Sequence, residues 1–427
     1  MIKKILTKIL VWEAKMAIKR HKPEIVGITG SVGKSSTKEA VAAVLERKGS
    51  VRKSAKSYNS ELGLALAVLG LKTAWRSPLG WIKNVFYGFK EIFNLPAGKA
   101  GKKFPEILVL EMGVDRPRDF EKMLNIVKPD IGIVTAMGEP PVHVEFFSGP
   151  EEVAREKSKL IKVLPASGWA ILNFDDLAVL DMKSKTGARA ISFGLGKGAD
   201  VIASNYKISE EGISFKMEYK GASVPVKLKN VFGKHYIYSA LAAAAAGIAH
   251  EMNLIEISEA LSLAEPLPGR MRLIPGIKNS LILDDSYNAS PLATHAALDT
   301  LKELEAARKI VAFGDMLEIG KFTIVAHQAV GEKVAKTADY FVTVGPRSRF
   351  AAEESLAEGM QKEQVASFSE AREAAAHLKK IIKEGDLILV KGSQSMRMER
   401  VTEELMAHPE KAASMLARQD EYWKNKE

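Results

Sequence analysis

Ten residues, Gly27-Ile-Thr-Gly30-Ser-Val-Gly33-Lys34-Ser35-Ser36, set three glycines ahead of a lysine and two hydroxyls. Glycines spaced this way let backbone N–H groups close around phosphate oxygens, and a helix starting there adds a favourable dipole. A lysine directly after the last glycine bridges β- and γ-phosphates, and the next hydroxyl can ligate Mg²⁺. Gly30, Ser31, Val32, Gly33, Lys34, Ser35 and Ser36 are therefore the expected cradle for a nucleotide's phosphates. Such a cradle does not by itself separate hydrolase, kinase and ligase.

Three more residues bear on that choice. Glu111 ends the apolar run Ile107–Leu110, which places its carboxylate at the tip of a parallel strand, where metal–phosphate sites lie. His143 and Lys157 flank a Gly/Pro-rich turn and a helix start. Singly, each has an ordinary explanation: a strand-end acid facing water, a structural histidine, a solvated lysine.

The elements that must position these residues alternate. Glu24–Thr29 is strand-like and leads into the glycine loop, and a helical pattern follows through Val41, Val44 and Leu45 to Gly49. Short apolar runs at Ile107–Leu110, Ile131–Thr135 and Trp169–Leu172 are separated by helix-like stretches, which indicates a mostly parallel sheet covered on both faces. Around Ile213, Phe215, Met217 and Tyr219, then Val224, Val226 and Leu228, the period changes to two, so a small antiparallel addition is expected. An alanine-rich helix, Tyr238–His250, follows. Pro266, Pro268 and Gly269 mark a hinge to a second, Rossmann-like α/β unit with strand-like runs at Leu281–Asp284, Ile310–Phe313, Tyr340–Val344 and Leu387–Val390. The expected division is a basic amphipathic helix over 1–22, a P-loop α/β domain over 23–266 with an aromatic and basic insertion at 72–104, and a C-terminal domain over 267–427. The polar tail after Pro409 reads as surface helix or loose end.

A chain of 427 residues exceeds a single core, and the absence of cysteine excludes disulfides and thiolate chemistry, in keeping with a reducing cytoplasm. The net charge of +10 is local: residues 1–22 hold seven Lys/Arg against Glu13, and residues 72–103 hold seven against Glu91. The rest of the chain is close to neutral, which argues against a nucleic-acid binder. Ile2, Ile5, Leu6, Ile9 and Met16 share one helical stripe, so the N-terminal helix is expected to pack on its own domain or to lie on an anionic membrane surface. The second basic segment carries Trp75, Trp81, Phe86, Tyr87, Phe89 and Phe93, and either reinforces such contact or packs on the fold.

In order along the chain, T-G-S-V-G-K-S-S, Y-N-S-E-L-G (58–63), L-E-M-G (110–113), G-E-P-P-V-H-V-E (138–145), E-E-V-A-R-E-K (151–157) and G-K-H-Y-I-Y-S-A-L-A-A (233–243) resemble the central domain of the Mur ligases. P-G-R-M-R (268–272), D-D-S-Y-N-A-S-P (284–291), G-D-M-L-E-I-G (314–320) and V-K-G-S-Q-S-M-R-M-E (390–399) resemble the C-terminal domain of the same family. Within it, D-D-S-Y-N-A-S-P and G-D-M-L-E-I-G look like the branch that adds D-alanyl-D-alanine to a UDP-muramoyl tripeptide. The resemblance implies an ATP-dependent amide ligase of cell-wall synthesis working through an acyl phosphate. It implies that Lys34 and Ser35 hold the ATP phosphates and one Mg²⁺, shared with Glu111, and that His143 serves a second. Lys157 matches the family lysine that CO₂ converts to a carbamate. Arg270 and Asp285 are implied for the γ-phosphate and ribose. Asn59, Tyr287, Asn288, Asp315, Glu318 and Lys391 are implied for the substrate side. The substrates so implied are the UDP-muramoyl tripeptide and D-Ala-D-Ala. Separately, a cytoplasmic monomer is expected, with peripheral membrane contact through the basic residues 1–22 and 72–104.

The pattern also departs from the family. The glycine loop starts at residue 27, ahead of which a UDP-gripping domain is expected. Ala136 stands where an asparagine is frequent, Glu139–Val142 lengthens the turn before His143, Tyr236 and Ser239 replace asparagines, and Gln394 replaces an arginine. Two further readings stand beside the first: a ligase of the same superfamily with another acceptor, of folylpolyglutamate synthase or pseudomurein type, and a non-catalytic nucleotide-binding protein at a membrane.

Overall fold

The computed structural model describes residues 2–55, 60–75, 77–94, 103–141, 143–209 and 211–424. Two sheets organise it. The first contains β1 (Glu24–Thr29), β2 (Val51–Lys53), β3 (Ile107–Glu111), β4 (Ile131–Val134), β5 (Trp169–Asn173), β6 (Arg189–Gly194), β7 (Val201–Ser209), β8 (Gly212–Tyr219) and β9 (Ala222–Lys229). Their order is β2-β3-β1-β4-β5-β6-β7-β8-β9. Pairing is parallel through β7 and antiparallel across β8 and β9.

β1 is central because its residues from Ile25 to Thr29 are buried, which suits a strand covered on both faces. Helices Lys34–Leu45 and His235–Ala249 cover one face. The second of these is buried through its alanine run, Ala240 to Ala246, and small side chains let helix and sheet approach closely. Pro150–Lys162 lies on the other face, so near that a Cβ on Gly27 would sit 2.9 Å from Leu160 Cδ1. In β8, Ile213, Phe215 and Met217 point inward and alternate with outward Ser214 and Lys216, the period-two pattern of a half-buried strand.

The second sheet contains β10 (Arg272–Pro275), β11 (Leu281–Asp285), β12 (Arg308–Gly314), β13 (Tyr340–Val344), β14 (Val365–Phe368) and β15 (Asp386–Lys391), in the order β10-β11-β15-β12-β13-β14. All pairs are parallel except β10 with β11. This is the expected second α/β layer. At its entry Gly269 adopts φ +69 and accepts a hydrogen bond from Tyr287 N at 3.0 Å, so the connector is tied to the loop after β11.

The C-terminal tail corrects the sequence reading of a surface helix or loose end. Leu416, Ala417 and Arg418 are buried, and the Arg418 guanidinium lies 2.8 Å from Glu399 while donating to the Ser286 carbonyl. Further on, Tyr422 stacks on Trp75 with ring centroids 3.8 Å apart. A buried arginine needs such partners, and they fix the tail across both sheets.

Candidate active site

The glycine loop is shaped by its backbone. Gly30 has φ +140, and a Cβ there would lie 2.0 Å from Thr135 Oγ1. Ser31 N donates to the Ala136 carbonyl at 2.6 Å, and Thr135 Oγ1 donates to the Val32 carbonyl at 2.6 Å, so the two residues just after β4 clasp the loop. Gly33, at φ +86, turns the chain into helix Lys34–Leu45, leaving the first helical N–H groups facing the loop's concavity. Lys34 Nζ folds back to the Gly30 carbonyl at 2.9 Å. Burial lowers its proton affinity, helped by Arg270 and opposed by Glu111 and Asp115.

Around this loop, charged groups arrive from both sheets. Glu111, buried at the end of β3, accepts from Ser35 Oγ at 3.0 Å, and its own N–H donates to Ser54 Oγ. Lys157 Nζ, buried on helix Pro150–Lys162, donates to Ser31 Oγ at 2.9 Å from beneath the loop. Burial drives its pKa well below the ordinary lysine value, and the nearby Lys34 charge adds to the shift. From the second sheet, Arg270 Nη2 reaches 3.5 Å from Ser35 Oγ, while its guanidinium stacks 4.1 Å from the Tyr287 ring.

His143 adopts φ +67 and sits between two carboxylates. Its Nδ1 is 2.8 Å from Glu318 Oε2 and its Nε2 is 3.4 Å from Asp115 Oδ1. Contact with His143 holds Glu318 below the usual carboxylate range, against a burial effect of opposite sign. Asp115 is shifted the other way, because burial outweighs His143. Asp115 Oδ1 and His143 Nδ1 are both buried without a hydrogen bond of good alignment among the described residues.

Two cavities meet at the loop. One, of about 470 Å³, is lined by Lys34, Ser35, Glu111, Asp115, His143 and Glu318, together with Arg270, Tyr287 and Asn288. The other, of about 280 Å³, runs from Ser36 and Thr37 to Asn173, His235 and Tyr238, and is walled by Asp285 and Lys391. Those last two are register partners at the ends of β11 and β15 and form a buried ion pair. A polar cleft thus continues into a narrower, largely apolar one, with the glycine loop between them.

Residues 93–247 match the model of the Mur ligase middle domain, and residues 269–394 match that of the Mur ligase glutamate ligase domain. The chain belongs to the Mur ligase family. Among Mur ligases, it is similar to the UDP-N-acetylmuramoyl-tripeptide–D-alanyl-D-alanine ligase of Bacillus subtilis, at 28% identity over 93% of this chain and 79% of that one. The ligase of the same name from Escherichia coli is 29% identical over 93% and 80%. The MurF ligase of Thermotoga maritima in complex with ADP superposes with a TM-score of 0.76 at 25% identity, covering 95% of this chain and 85% of that one.

Of the residues expected from the Mur ligase motifs, Gly30 to Ser36, Glu111, His143, Arg270, Tyr287, Asn288 and Glu318 converge on the loop, with Lys157 beneath it. Asp285 and Lys391 lie on the narrower side. Asp315 is placed differently from expectation: it is buried, its carboxylate accepts from the Arg347 and Ser348 N–H groups, and it lines neither cavity. Asn59 lies outside the described residues. Ala136 acts through its carbonyl, which makes the side chain at that position immaterial to the clasp. Tyr236 and Ser239 find other partners: the Tyr236 hydroxyl donates to the Arg270 carbonyl, and Ser239 Oγ accepts from Thr37.

Sequence reasoning missed Asp115. Its signal was present four residues after Glu111, since a strand-end loop in an α/β sheet faces the same crevice as the strand tip.

Proposed function

We propose that this Mur ligase adds D-alanyl-D-alanine to a UDP-muramoyl tripeptide with cleavage of ATP. The observation that carries the reading is the meeting of Lys34, Ser35 and Glu111 from one sheet with Arg270, Tyr287 and Glu318 from the other in a single cleft. The tripeptide carboxylate attacks the γ-phosphorus of ATP, forming an acyl phosphate and releasing ADP. The dipeptide amine then attacks the acyl carbon, the C–O bond to phosphate breaks, and the ammonium proton is lost. Lys34, the loop N–H groups and Arg270 neutralise charge as two anions approach, so the contribution of the chain is mainly positioning and electrostatics. Asp285 and Lys391 border the nucleoside, and Tyr287, Asn288 and Glu318 border the incoming dipeptide. In this reading the chain divides into residues 1–22, 23–266 and 267–427, and closure about Pro266–Gly269 keeps water from the acyl phosphate.

Divalent metal fits the residues present. No three His, Asp or Glu side chains are gathered as a closed cage among the described residues. However, Ser35 and Glu111 are adjacent, and Asp115 Oδ1 and His143 Nδ1 are buried polar atoms lacking aligned partners. Ser35 and Glu111 would hold one Mg²⁺, and His143 with its neighbours a second. Bound there, Mg²⁺ supplies charge neutralisation on the phosphates. The lowered pKa of Lys157 favours the neutral amine, the form that adds CO₂. An N–C bond forms and one amine proton leaves to solvent, so the site gains an anion where an ammonium would have repelled Lys34.

We also infer a cytoplasmic monomer in peripheral contact with a membrane through the two segments of +6 charge. No described helix is long and apolar enough to cross one. The ligase reading is tested by mixing the protein with ATP, Mg²⁺, UDP-muramoyl tripeptide and D-Ala-D-Ala, then following phosphate release and product mass. Dipeptide-dependent phosphate release and a product heavier by one dipeptide residue pair are expected. Phosphate release that ignores the dipeptide overturns the reading.

A further inference from the structure

Helix Pro78–Phe93 carries two apolar stripes. The inner one packs on the fold, with Gly88 and Ile92 buried and Trp81 and Val85 partly so. The outer one, Leu79, Ile82, Phe86, Phe89 and Phe93, recurs at spacings of three and four residues yet is 42% to 72% exposed. A helix of a water-soluble protein turns one such stripe to its core. Here the core stripe is already in place, so among the described residues the second is left largely facing solvent.

The N-terminal helix, Ile2–His21, adds to the same feature. It docks through Leu10, Ala14 and Ala17 and turns Ile5, Ile9 and Trp12 outward. The Arg20 guanidinium lies 5.1 Å from the Phe93 ring centroid, so the exposed margins of the two helices meet. An apolar patch of this extent marks an interaction site.

Charge identifies the occupant. Lys4, Lys8 and Lys15 are exposed along the first helix and Lys83 along the second, while Lys90 lies 4.7 Å over the Phe86 ring. The two helices contain two carboxylates between them, and neither is free to face outward. Glu13 is buried against Gly88, and Glu91 is paired with Arg52 at 2.8 Å. A face that is aromatic, basic and without an available acid suits the headgroup layer of an anionic bilayer, where aromatic rings and lysines both settle. A second copy of the chain would bring the same positive charge against it.

We propose that the outer stripe of helix Pro78–Phe93, with Ile5, Ile9 and Trp12 beside it, inserts into the headgroup layer of an anionic membrane. This rests on the membrane contact inferred above and gives it a defined surface.

The test uses the full chain and vesicles of phosphatidylglycerol and phosphatidylcholine mixed at roughly 3:7, with pure phosphatidylcholine as comparison. The protein is expected to sediment with the mixed vesicles, to bind less as salt rises, and to show tryptophan fluorescence quenched by brominated acyl chains. A variant carrying Ile82→Asp, Phe86→Asp and Phe89→Asp should lose at least about tenfold in vesicle binding at unchanged melting temperature. The pair Phe86→Leu and Phe89→Leu should keep it. If the parent protein ignores anionic vesicles, both this proposal and the membrane reading fall. If the parent binds and the triple aspartate variant binds equally, the stripe is wrong and the charge-based reading stands. If the stripe instead drives a concentration-dependent dimer that the aspartates abolish, with no effect on vesicle binding, the surface belongs to a second copy and the proposal is overturned.

Discussion

Replacing Gly30 by alanine tests the loop most directly. Gly30 sits at φ +140, where an L side chain costs about 1–3 kcal/mol. Its new Cβ would meet Thr135 Oγ1 at 2.0 Å, so Thr135 must move and release the hydrogen bond it donates to the Val32 carbonyl. That adds about 1 kcal/mol. If the strain falls on the loop's phosphate-binding conformation, the combined 2–4 kcal/mol weakens nucleotide affinity by roughly 30- to 1,000-fold. Titration calorimetry with ADP and Mg²⁺ reads this, and a melting scan of the free protein shows how much of the cost is global. Adding Thr135→Ala separates the two parts. It removes the closest contact and, by itself, the same hydrogen bond, so Gly30→Ala measured against a Thr135→Ala background should show the φ share alone. Gly30→Ala protein that binds ADP within threefold of the parent would refute the claim that this glycine is required.

Lys157→Ala should reduce dipeptide-dependent phosphate release by at least about 100-fold, with part of the loss restored by added short carboxylates, as expected if a carbamate acts there. Arg270→Lys should lower kcat/KM for ATP by about 10- to 100-fold in steady-state kinetics, because an ammonium keeps the charge but loses the planar stack on Tyr287. Glu13 has its pKa raised to about 7 by burial, above the ordinary 4.5 it regains on unfolding. The folded state therefore holds a proton that the unfolded state has lost, and stability falls as pH rises from about 4.5 through 7. Glu13→Gln should raise stability by roughly 1–2 kcal/mol at pH 8 and by little at pH 4.5, as read by urea melts. Arg418→Met should destabilise the protein by about 3–5 kcal/mol in the same melts, because Glu399 remains buried with one partner fewer.

The parts of the fold that follow from local periodicity were legible in the sequence. An apolar run, three glycines and a helical pattern foretold β1, the loop and helix Lys34–Leu45, and alternation foretold the antiparallel β8. Tertiary choices were not. Periodicity marks one stripe of the N-terminal helix, with Ile5 and Ile9 in it, without saying which face docks, and the helix docks through Leu10, Ala14 and Ala17. Alanines allow a closer approach than isoleucines, and periodicity alone does not weigh that. Asp315 stood in a motif associated with substrate, but its carboxylate is taken up by the N–H groups of Arg347 and Ser348 on a distant turn. The buried role of Arg418 was hidden because a polar tail gives no sign of what it crosses. Arg270 was visible as a turn-like P-G-R, yet its contact with Ser35 depends on how two sheets meet, which spacing along the chain does not record.

The carbonyl of Ala136 holds Ser31 N and Val32 N, and every amino acid carries that carbonyl. The latch on the phosphate loop is therefore written in chain path, not in residue identity. Mutational drift at position 136 can proceed without loosening it, provided the neighbouring Thr135 keeps its hydroxyl and the backbone its course. A comparison scored on side chains counts Ala136 as a lapse from the pattern, although the contact it would be guarding is intact. For an engineer this makes position 136 a place to introduce a small reporter side chain beside the nucleotide at little risk to its grip.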